Sequence, residues 1–385
     1  MQCCNPSQSS GATTNMPSVK PQFESLARIK VVGVGGAGGK AVTRMVQSRL
    51  RGIEFVAINT DAQDLHHASA NKKLLIGKNV TKGLGGGMDP LLGFQAADTS
   101  RDEIRDFVGN SDMVFITAGL GGATGSGAGP IVAEIAKETG ALVVGVVTRP
   151  FSFEGVQRAK IAETAWENFS VNVDAIITIY NDRILNLIDQ KTSVLGAFAF
   201  ADDILRQAVK GIADLVATPG LINVDFADVK AIMQEAGTAL IGIGQGIGAT
   251  RAQDAARAAV DSALLDLSIQ GAKRILFTIS GTPDMTMQEI NEAAKIITES
   301  IDPQAKVIFG AVVEDKTRRG PLRITLIASG FPGKEKSKPQ GNLQIFRREN
   351  NHSQPIDVKN PKEVVVDEDA KDPFEVPAFI RRKNQ

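Results

Sequence analysis

Residues 112–138 read DMVFITAGLGGATGSGAGPIVAEIAKE, and three kinds of segment follow one another in them. The apolar run DMVFITA is typical of a buried strand. A glycine-rich stretch from Ala118 to Pro130 comes next, and the apolar residues of IVAEIAKE then recur at helical spacing. Glycines between a strand and a helix let the backbone approach an anion and turn several N–H groups toward it. The stretch therefore predicts a phosphate-binding loop in an α/β fold.

Short apolar runs also alternate with helical segments on both sides of this stretch. The other strand candidates in the first half of the chain are IKVVGVG, IEFVAIN, KLLIG, ALVVGVVT and VDAIITIY. Runs of Val and Ile without strict alternation suit strands that are buried on both faces, and the helical segments supply the crossovers of a parallel sheet. We therefore expect residues 28–192 to form a Rossmann-like, doubly wound domain.

A long helix and a second domain are predicted after this one. Residues 193–217 keep apolar side chains at helical spacing for longer than an ordinary globular helix does, which indicates a central helix between domains. Pro219 and Gly220 end it. Four further strand candidates, TALIGIGQG, KRILFTIS, AKVIFGAVV and LRITLIAS, are interleaved with helices. They predict a smaller α+β domain over residues 218–330.

The two ends of the chain have a different composition. Residues 1–27 are rich in Ser, Gln and Thr and are expected to be a disordered leader. Residues 331–371 are rich in Lys, Pro, Asn, Gln and Glu, and burial there cannot offset the entropy of ordering, so we expect a flexible linker. Residues 372–385 are again apolar and basic; their composition alone favours a disordered terminus, although such a segment can become ordered in a partner's groove.

Charge and cysteine content exclude several classes of protein. Lys+Arg and Asp+Glu both number 43, so no net field attracts nucleic acid or an acidic membrane surface. Cys3 and Cys4 are adjacent, which gives neither a disulfide framework nor the spacing of metal ligands. The sequence has no apolar run of about 18 residues and its first residues lack the apolar core of a secretory signal. We therefore expect a cytoplasmic protein without membrane insertion.

Two more glycine-rich loops leave the nature of the ligand open. Residues 33–39 read GVGGAGG and contain GxGxxG, the dinucleotide fingerprint, with Asp61 placed where a ribose-binding acid would lie. An NAD-dependent dehydrogenase is therefore one alternative. However, KGLGGGMDP at residues 82–90 adds a third glycine loop, which is more than a dinucleotide site needs. The only histidines, His66, His67 and His352, have no evident catalytic placement.

The order of several motifs resembles one family. GLGGATGSGAGP, NTDAQDL, KGLGGG, TRPFSFEG, YNDRIL and NVDFADV are similar, in order and approximate spacing, to the signature segments of the FtsZ/tubulin GTPases. The resemblance covers Arg28 to Gly330, and VPAFIRRK at residues 376–383 is similar to the family's terminal binding peptide. It implies a tubulin-like fold and a chain that binds GTP or GDP, with Mg²⁺ held mainly through the phosphates.

The resemblance also implies what the chain does. It implies a protein that hydrolyses GTP and polymerises head to tail into cytoskeletal filaments of the division ring, at mid-cell. Residues 372–385 would then bind membrane-tethering and regulatory division proteins. A non-hydrolysing filament scaffold is the other alternative that the sequence leaves open.

Most of the nucleotide-binding residues follow from the resemblance alone. It assigns the phosphates to Gly35, Gly36, Gly38, Gly39, Gly85, Gly86, Gly87, Gly121, Gly122, Ala123, Thr124, Gly125, Ser126 and Gly127. It places Lys40, Asn59 and Asp61 near the nucleotide, Glu154 and Arg158 at the ribose, and Asn181, Phe198 and Asp202 at the guanine. Without it, Glu154 and Arg158 read as a surface ion pair and Phe198 as a core residue.

The catalytic assignment rests on the segment NVDFADV. In the family this loop reaches the nucleotide of the adjoining subunit, so Asn223, Asp225 and Asp228 would orient and polarise the attacking water. The alternative is an ordinary pair of acids at a helix start. The sequence departs from the family at several positions: Lys40 replaces a common Asn, Asp89 another, Tyr180 a Pro, and Ala123 the third signature glycine. Ala123 would be strained if its backbone required a positive φ.

Overall fold

The computed structural model describes residues 27–331, apart from 49, 51, 190, 218–220, 223, 263–268, 270 and 314–319. The predicted linker and terminal peptide lie outside this part except for residue 331, as does the predicted leader except for residue 27. All the described residues belong to one compact unit. The predicted division into two domains joined by a helix stays a prediction.

Ten strands within the described part form one sheet. They are β1 (Ile29–Val34), β2 (Ile53–Asn59), β3 (Lys72–Leu75), β4 (Met113–Gly119), β5 (Leu142–Arg149), β6 (Ala175–Tyr180), β7 (Gly237–Gly246), β8 (Arg274–Gly281), β9 (Lys306–Val313) and β10 (Leu322–Ser329). Their spatial order is β3-β2-β1-β4-β5-β6-β7-β10-β8-β9. Every apolar run that predicted a strand is a strand, which confirms the α/β fold class.

The pairing changes in character along the sheet. The first six strands are parallel throughout, as expected for strands joined by helical crossovers. β6 pairs with β7 in parallel through only three residue pairs, from Ala175 with Gly237 to Ile177 with Ala239. β10 is antiparallel to both β7 and β8, and β8 is parallel to β9. The second half therefore has the mixed sheet that an α+β region requires.

Helices cover both faces of this sheet. They are α1 (Gly35–Gln47), α2 (Ala62–His67), α3 (Lys78–Thr81), α4 (Pro90–Asp98), α5 (Arg101–Val108), α6 (Ala123–Glu138), α7 (Val156–Asn172), α8 (Asn181–Ile184), α9 (Val194–Ala217), α10 (Phe226–Met233), α11 (Arg251–Val260) and α12 (Met287–Glu299), with a 3₁₀ turn at Ser152–Glu154. Alternate residues of β1 show the two faces: Val31 packs with residues of α1 and α9, and Val32 with residues of α4 and α6. This double burial explains the uninterrupted Val/Ile runs.

Two helices begin earlier than their apolar pattern indicates. The sequence predicts the first helix from Lys40, whereas α1 begins at Gly35, directly after β1. It predicts another helix from Ile131, whereas α6 begins at Ala123 inside the glycine-rich stretch. Glycine is a poor helix former, so propensity alone misplaces both starts.

Close packing explains why glycines are tolerated inside α6. A Cβ on Gly125 would lie 2.3 Å from Gly119 O of β4, and one on Gly127 would lie 2.0 Å from Pro90 O of α4. These are overlaps with backbone atoms, which cannot move aside. Some glycines of the signature are therefore required by the approach of α6 to its neighbours, whatever ligand the loop holds.

Candidate functional site

The three glycine-rich loops meet at the carboxyl edge of the parallel strands. Ala123 N–H donates to Gly87 O (2.9 Å), which joins the second loop to the start of α6. Ala62 N–H donates to Gly83 O (3.0 Å), which joins the second loop to α2. Below them, the hydroxyls of Thr60 and Thr124 are 2.7 Å apart and buried. In an open α/β sheet this edge is where ligands bind.

Internal contacts fix the conformation of the loop before α6. Gly121 has φ +104°, a conformation that suits glycine. Its N–H donates to Ser126 Oγ (2.8 Å), so this buried hydroxyl braces the loop from within the helix. Ala123 is the first residue of α6 and does not have a positive φ. The strain that its replacement of glycine would cause is therefore absent.

Four glycines in these loops have no structural requirement for glycine. Gly36, Gly39, Gly85 and Gly122 avoid the positive-φ region, and no backbone atom lies within 3.4 Å of a Cβ built on any of them. The one close contact, 2.7 Å, joins the Cβ position of Gly36 to the mobile carboxylate of Asp64. Gly36 and Gly39 line a cleft along α1, and Gly85 and Gly122 belong to the second and third glycine-rich loops.

An open cleft of about 370 Å³ runs along the exposed face of α1. Gly35, at its upper end, lies against Gly125, because a Cβ there would be 3.1 Å from Gly125 N. Lys40 and Arg44 line one side of the cleft and His67 of α2 lines the other. The cleft therefore continues the glycine-lined space along a cationic helix face.

Asn59 and Asp61 hold the turn that closes this cleft after β2. Asn59 Oδ1 accepts hydrogen bonds from the N–H groups of Thr60 (2.9 Å) and Asp61 (3.3 Å). Asp61 is the N-cap of α2, and its Oδ1 accepts from Gln63 N–H (2.8 Å) and Asp64 N–H (3.2 Å). Its Oδ2 lies 3.4 Å from the Cβ position of Gly85. One oxygen of Asp61 is thus used by the fold, and the other faces the glycine loop.

Glu154 and Arg158 form the predicted ion pair, and it lies beside the glycine loop. Arg158 Nη1 is 2.9 Å from Glu154 Oε2. Glu154 Oε1 accepts from Phe151 N–H (2.9 Å), which fixes the acid in place. The side chain of Arg158 covers Gly121, whose Cβ position lies 2.7 Å from Arg158 Cγ. Arg158 Nε is buried without a hydrogen-bond partner, so the ion pair with Glu154 does not use all the donors of this side chain.

The residues assigned to the base border the N-terminal end of α9. Asn181 is 6% exposed, and its Oδ1 has no hydrogen-bond partner. Phe198 is 39% exposed and packs edge-on against Phe151, with ring centroids 5.3 Å apart. The interpretation of Phe198 as a core residue is therefore wrong. One turn further along α9, Asp202 forms an ion pair with Arg44.

Three residues of this site were missed in the sequence. Thr60 pairs with Thr124, Phe151 packs on Phe198, and Arg44 pairs with Asp202. Arg44 was within reach of sequence reasoning, because it follows Lys40 by four residues and so shares its helix face. Nothing in the local sequence predicts the other two contacts.

The acids of NVDFADV lie far from this cleft in the same chain. Leu215 lies in the last turn of α9, and Val224 directly precedes Asp225; both side chains lie within 3.4 Å of the Cβ position of Gly310. From Phe198 to Leu215 the helix rises about 25 Å, so Asp225 is about that far from the base end. Asn223 lies outside the described residues.

Asp225 and Asp228 are both exposed at the start of α10. Asp225 occupies the N-cap position of α10 but its side chain makes no capping hydrogen bond. The interpretation of these acids as an ordinary capping pair is therefore not supported for Asp225.

Two kinds of feature are not found in the described residues. No helix there has both the length and the apolar character that a membrane crossing requires. Within the same residues, no group of three His, Cys, Asp or Glu side chains lies together as metal ligands do.

Comparison with known proteins gives consistent matches over both halves of the chain. Residues 28–189 match the Tubulin/FtsZ family, GTPase domain, and residues 237–332 match the FtsZ family, C-terminal domain. The structure is similar to an empty FtsZ dimer from M. jannaschii, with 44% identity and a TM-score of 0.76, covering 79% of this chain and 88% of that one.

Two further solved structures share the fold. CetZ1 from Haloferax volcanii, a GDP-bound monomer, is 26% identical with a TM-score of 0.65, over 84% of this chain and 99% of that one. CetZ2 from the same organism, a GTPγS-bound protofilament, is 22% identical with a TM-score of 0.66, over 84% and 97% of the two chains. At that identity CetZ2 supports the fold alone.

A GTPase-domain match implies guanine nucleotide binding, and it falls on the segment that contains all three glycine loops. The C-terminal match falls on the mixed part of the sheet. With 44% identity to an FtsZ of which it covers 88%, the chain belongs to the Tubulin/FtsZ family of GTPases.

Proposed function

We propose that this chain binds GTP in the cleft beside α1 and hydrolyses it when a second copy docks head to tail, building the filaments of a division ring at mid-cell. The proposal rests on one observation: the residues assigned to the nucleotide and the acids assigned to hydrolysis are far apart in the same chain. The open glycines and the base-end residues lie at one end of α9, and the exposed acids of α10 lie about 25 Å away at the other. A second copy is the simplest way to bring them together.

The phosphates are proposed to lie over the four open glycines. Gly122 precedes α6 and Gly36 lies in the first turn of α1, so both helix N-termini offer N–H groups without helical partners and a partial positive charge to an anion. In α6 the first of these N–H groups, that of Ala123, is already bonded to Gly87 O. Gly85 contributes from the second loop. Glycine at these positions removes the side chains that would otherwise fill the cradle.

The ribose and base are proposed to extend toward α9. Arg158 and Glu154 would contact the ribose. Asn181 Oδ1, which has no hydrogen-bond partner, is an acceptor available to the base. Phe198 offers an exposed ring face for stacking. Asp202 would accept from N1–H and the N2 amino group of guanine, and adenine has no such pair of donors.

Hydrolysis is proposed to use Asp225 and Asp228 of the adjoining copy, with Asn223 beside them. Exposed acids with no capping duty are available to orient and polarise a water, a role that contributes about 10²–10⁴-fold to a rate. Magnesium carried on the phosphates supplies charge neutralisation when it is bound. The FtsZ dimer supports self-association as the means of assembly.

The two alternative functions predict different ligands or rates. A dehydrogenase would use Asp61 on a ribose, but one of its oxygens already caps α2. A non-hydrolysing scaffold would keep the nucleotide, and the exposed Asp225 and Asp228 argue against it.

One incubation separates these alternatives. Purified protein is mixed with labelled GTP, ATP or NAD across a wide range of protein concentrations, and binding, phosphate release and light scattering are measured. We expect GTP alone to bind tightly, and the rate of phosphate release per molecule to rise with concentration together with scattering. Tight NAD binding, or GTP bound and never cleaved at any concentration, would contradict the proposal.

Deletion of residues 372–385 is expected to leave GTP turnover and light scattering unchanged. The segment follows a predicted linker of about 40 residues, and such a flexible coil spans roughly 35 Å, which keeps it clear of the cleft. The deletion is expected to abolish co-sedimentation with a membrane-tethering division protein. A full-length variant with Arg381 and Arg382 changed to Glu tests the charge of the peptide. Loss of assembly in the deletion variant would contradict the proposal that residues 372–385 serve to bind partner proteins.

A further inference from the structure

An ion pair joins the two helices that border the base end of the cleft. Arg44 Nε of α1 lies 3.0 Å from Asp202 Oδ2 of α9. The Asp202 side chain is 14% exposed and that of Arg44 is 42% exposed, so the acid lies on the inner side of the pair. The acid assigned to guanine is thus already held by a cation from another helix.

A single carboxylate has capacity for both Arg44 and a base. An ionised carboxylate has two oxygens with about four acceptor sites, and guanine presents two donors on one edge. An arginine bound at Oδ2 limits rotation of the carboxylate and so fixes the plane in which its other acceptor sites point. The contact with Arg44 therefore orients the carboxylate of Asp202 and leaves acceptor sites free for a ligand.

We propose that Arg44 is a positioning residue for guanine recognition: it holds Asp202 oriented as the acceptor that selects the base. The inference rests on the proposed function, since it assumes that Asp202 receives a guanine. It adds a residue from α1 to a recognition site otherwise built from α8 and α9. Arg44 does not touch the base in this proposal and acts only through Asp202.

The charge of Asp202 depends on the same contact. Burial raises the pKa of Asp202 to about 6, while the nearby charges of Arg44 and then Lys40 act to lower it. A protonated carboxyl would present its own donor toward the guanine donors, so GTP requires the ionised form. Affinity should therefore fall as the pH falls through about 6, and by about tenfold at pH 5, because only the ionised fraction binds.

The other charged groups around Asp202 come from four helices, α9, α8, α1 and α2. Those on α9 and α8 have partners of their own: Asp203 with Arg206, Asp182 with the N–H of Ser152, and Arg183 with the ring of Tyr180. On the other side, Lys40 of α1 and His67 of α2 line the same cleft as Arg44. His67 is an ionisable group on the same cleft as Arg44, so it has its own control variant.

The test compares wild type with Arg44→Gln by equilibrium dialysis with labelled GTP and ATP from pH 5 to pH 9. At pH 7 we expect Arg44→Gln to bind GTP about tenfold more weakly, because Asp202 loses both the contact that orients its carboxylate and the neighbouring cation that favours its ionised form. The difference should shrink at pH 9, where Asp202 ionises in both proteins. ATP binding should be equally weak in both.

Three control variants narrow the interpretation. Arg44→Lys keeps the charge and is expected to restore most of the affinity at pH 7. His67→Gln is expected to keep the wild-type pH profile. Arg105→Gln removes an arginine that pairs with acids of α5 and α6, far from the cleft, and is expected to change nothing in binding.

Several outcomes would overturn the inference. Wild-type affinity and pH profile in Arg44→Gln would show that Asp202 needs no positioning, and tighter GTP binding would show that Arg44 competes with the base. A lower melting temperature without a shifted pH profile would show that the Arg44–Asp202 ion pair only stabilises the fold. If wild type bound no GTP at any pH, the proposed function itself would fail, and this inference with it.

Discussion

Asp228→Ala is expected to bind GTP with wild-type affinity and to lose about 10²–10⁴-fold in turnover. Asp228 is exposed in the first turn of α10 and lies at the far end of α9 from the base-end residues of its own chain. Its removal therefore leaves the cleft of that chain intact. It removes a carboxylate that the proposed mechanism uses only on the nucleotide of the next copy. Nucleotide binding by dialysis and phosphate release at high protein concentration measure the two effects.

Mixing experiments test whether the acid acts across an interface. Asp228→Ala supplies a cleft with bound GTP. A Gly122→Thr variant, expected to bind GTP about 100-fold more weakly, supplies intact acids. Neither should turn over GTP alone, whereas an equal mixture should recover part of the activity. Asp102→Ala is the matched control, because Asp102 is a fully exposed acid in the first turn of α5. Loss of GTP binding in Asp228→Ala, or a wild-type rate per molecule unchanged by dilution, would contradict the cross-subunit role.

The strands were predictable because burial on both faces produces apolar runs that are easily recognised in the sequence. β1 and β5 are rich in Val and Ile without strict alternation, and each residue of β1 is buried. Turn and cap chemistry was equally local: Asp89 caps α4 and Pro90 begins it, as their order predicts. The positions of the glycine loops after β1 and β4 follow directly from these strands.

Contacts between distant parts of the chain were not predictable. The approach of α6 to α4 requires Gly127, yet the sequence pattern there favours a ligand-binding loop and places the helix start too late. Arg44 and Asp202 are 158 residues apart, so only the packing of α1 against α9 brings them together. The family resemblance named Asp202 as a site residue, but no local pattern indicates its cationic partner.

Gly122→Thr is expected to weaken GTP binding with little change in stability, whereas Gly127→Ala is expected to lower stability with a much smaller effect on GTP binding. Gly122 is the N-cap of α6 in extended backbone, φ −102°, with nothing closer than 4.0 Å to its Cβ position. Threonine is about as good an N-cap as glycine, so the free energy of unfolding should change little. Its hydroxyl, however, would accept from the first free N–H groups of α6. Hydrogen bonds to a charged group contribute about 1.5–3 kcal/mol each, so GTP affinity should fall about 100-fold.

In Gly127→Ala the methyl group would meet α4 and would not enter the cradle. Its Cβ would lie 2.0 Å from Pro90 O and 2.6 Å from Phe94 N, so α4 and α6 must separate. Overpacking of this kind costs about 1–3 kcal/mol, against a gain of up to about 1 kcal/mol from replacing a helical glycine. Urea unfolding should therefore show a loss of stability, with GTP affinity at low denaturant much less affected than in Gly122→Thr. If Gly122→Thr bound GTP normally, the phosphates would not lie at the start of α6, and the open glycines would need another explanation.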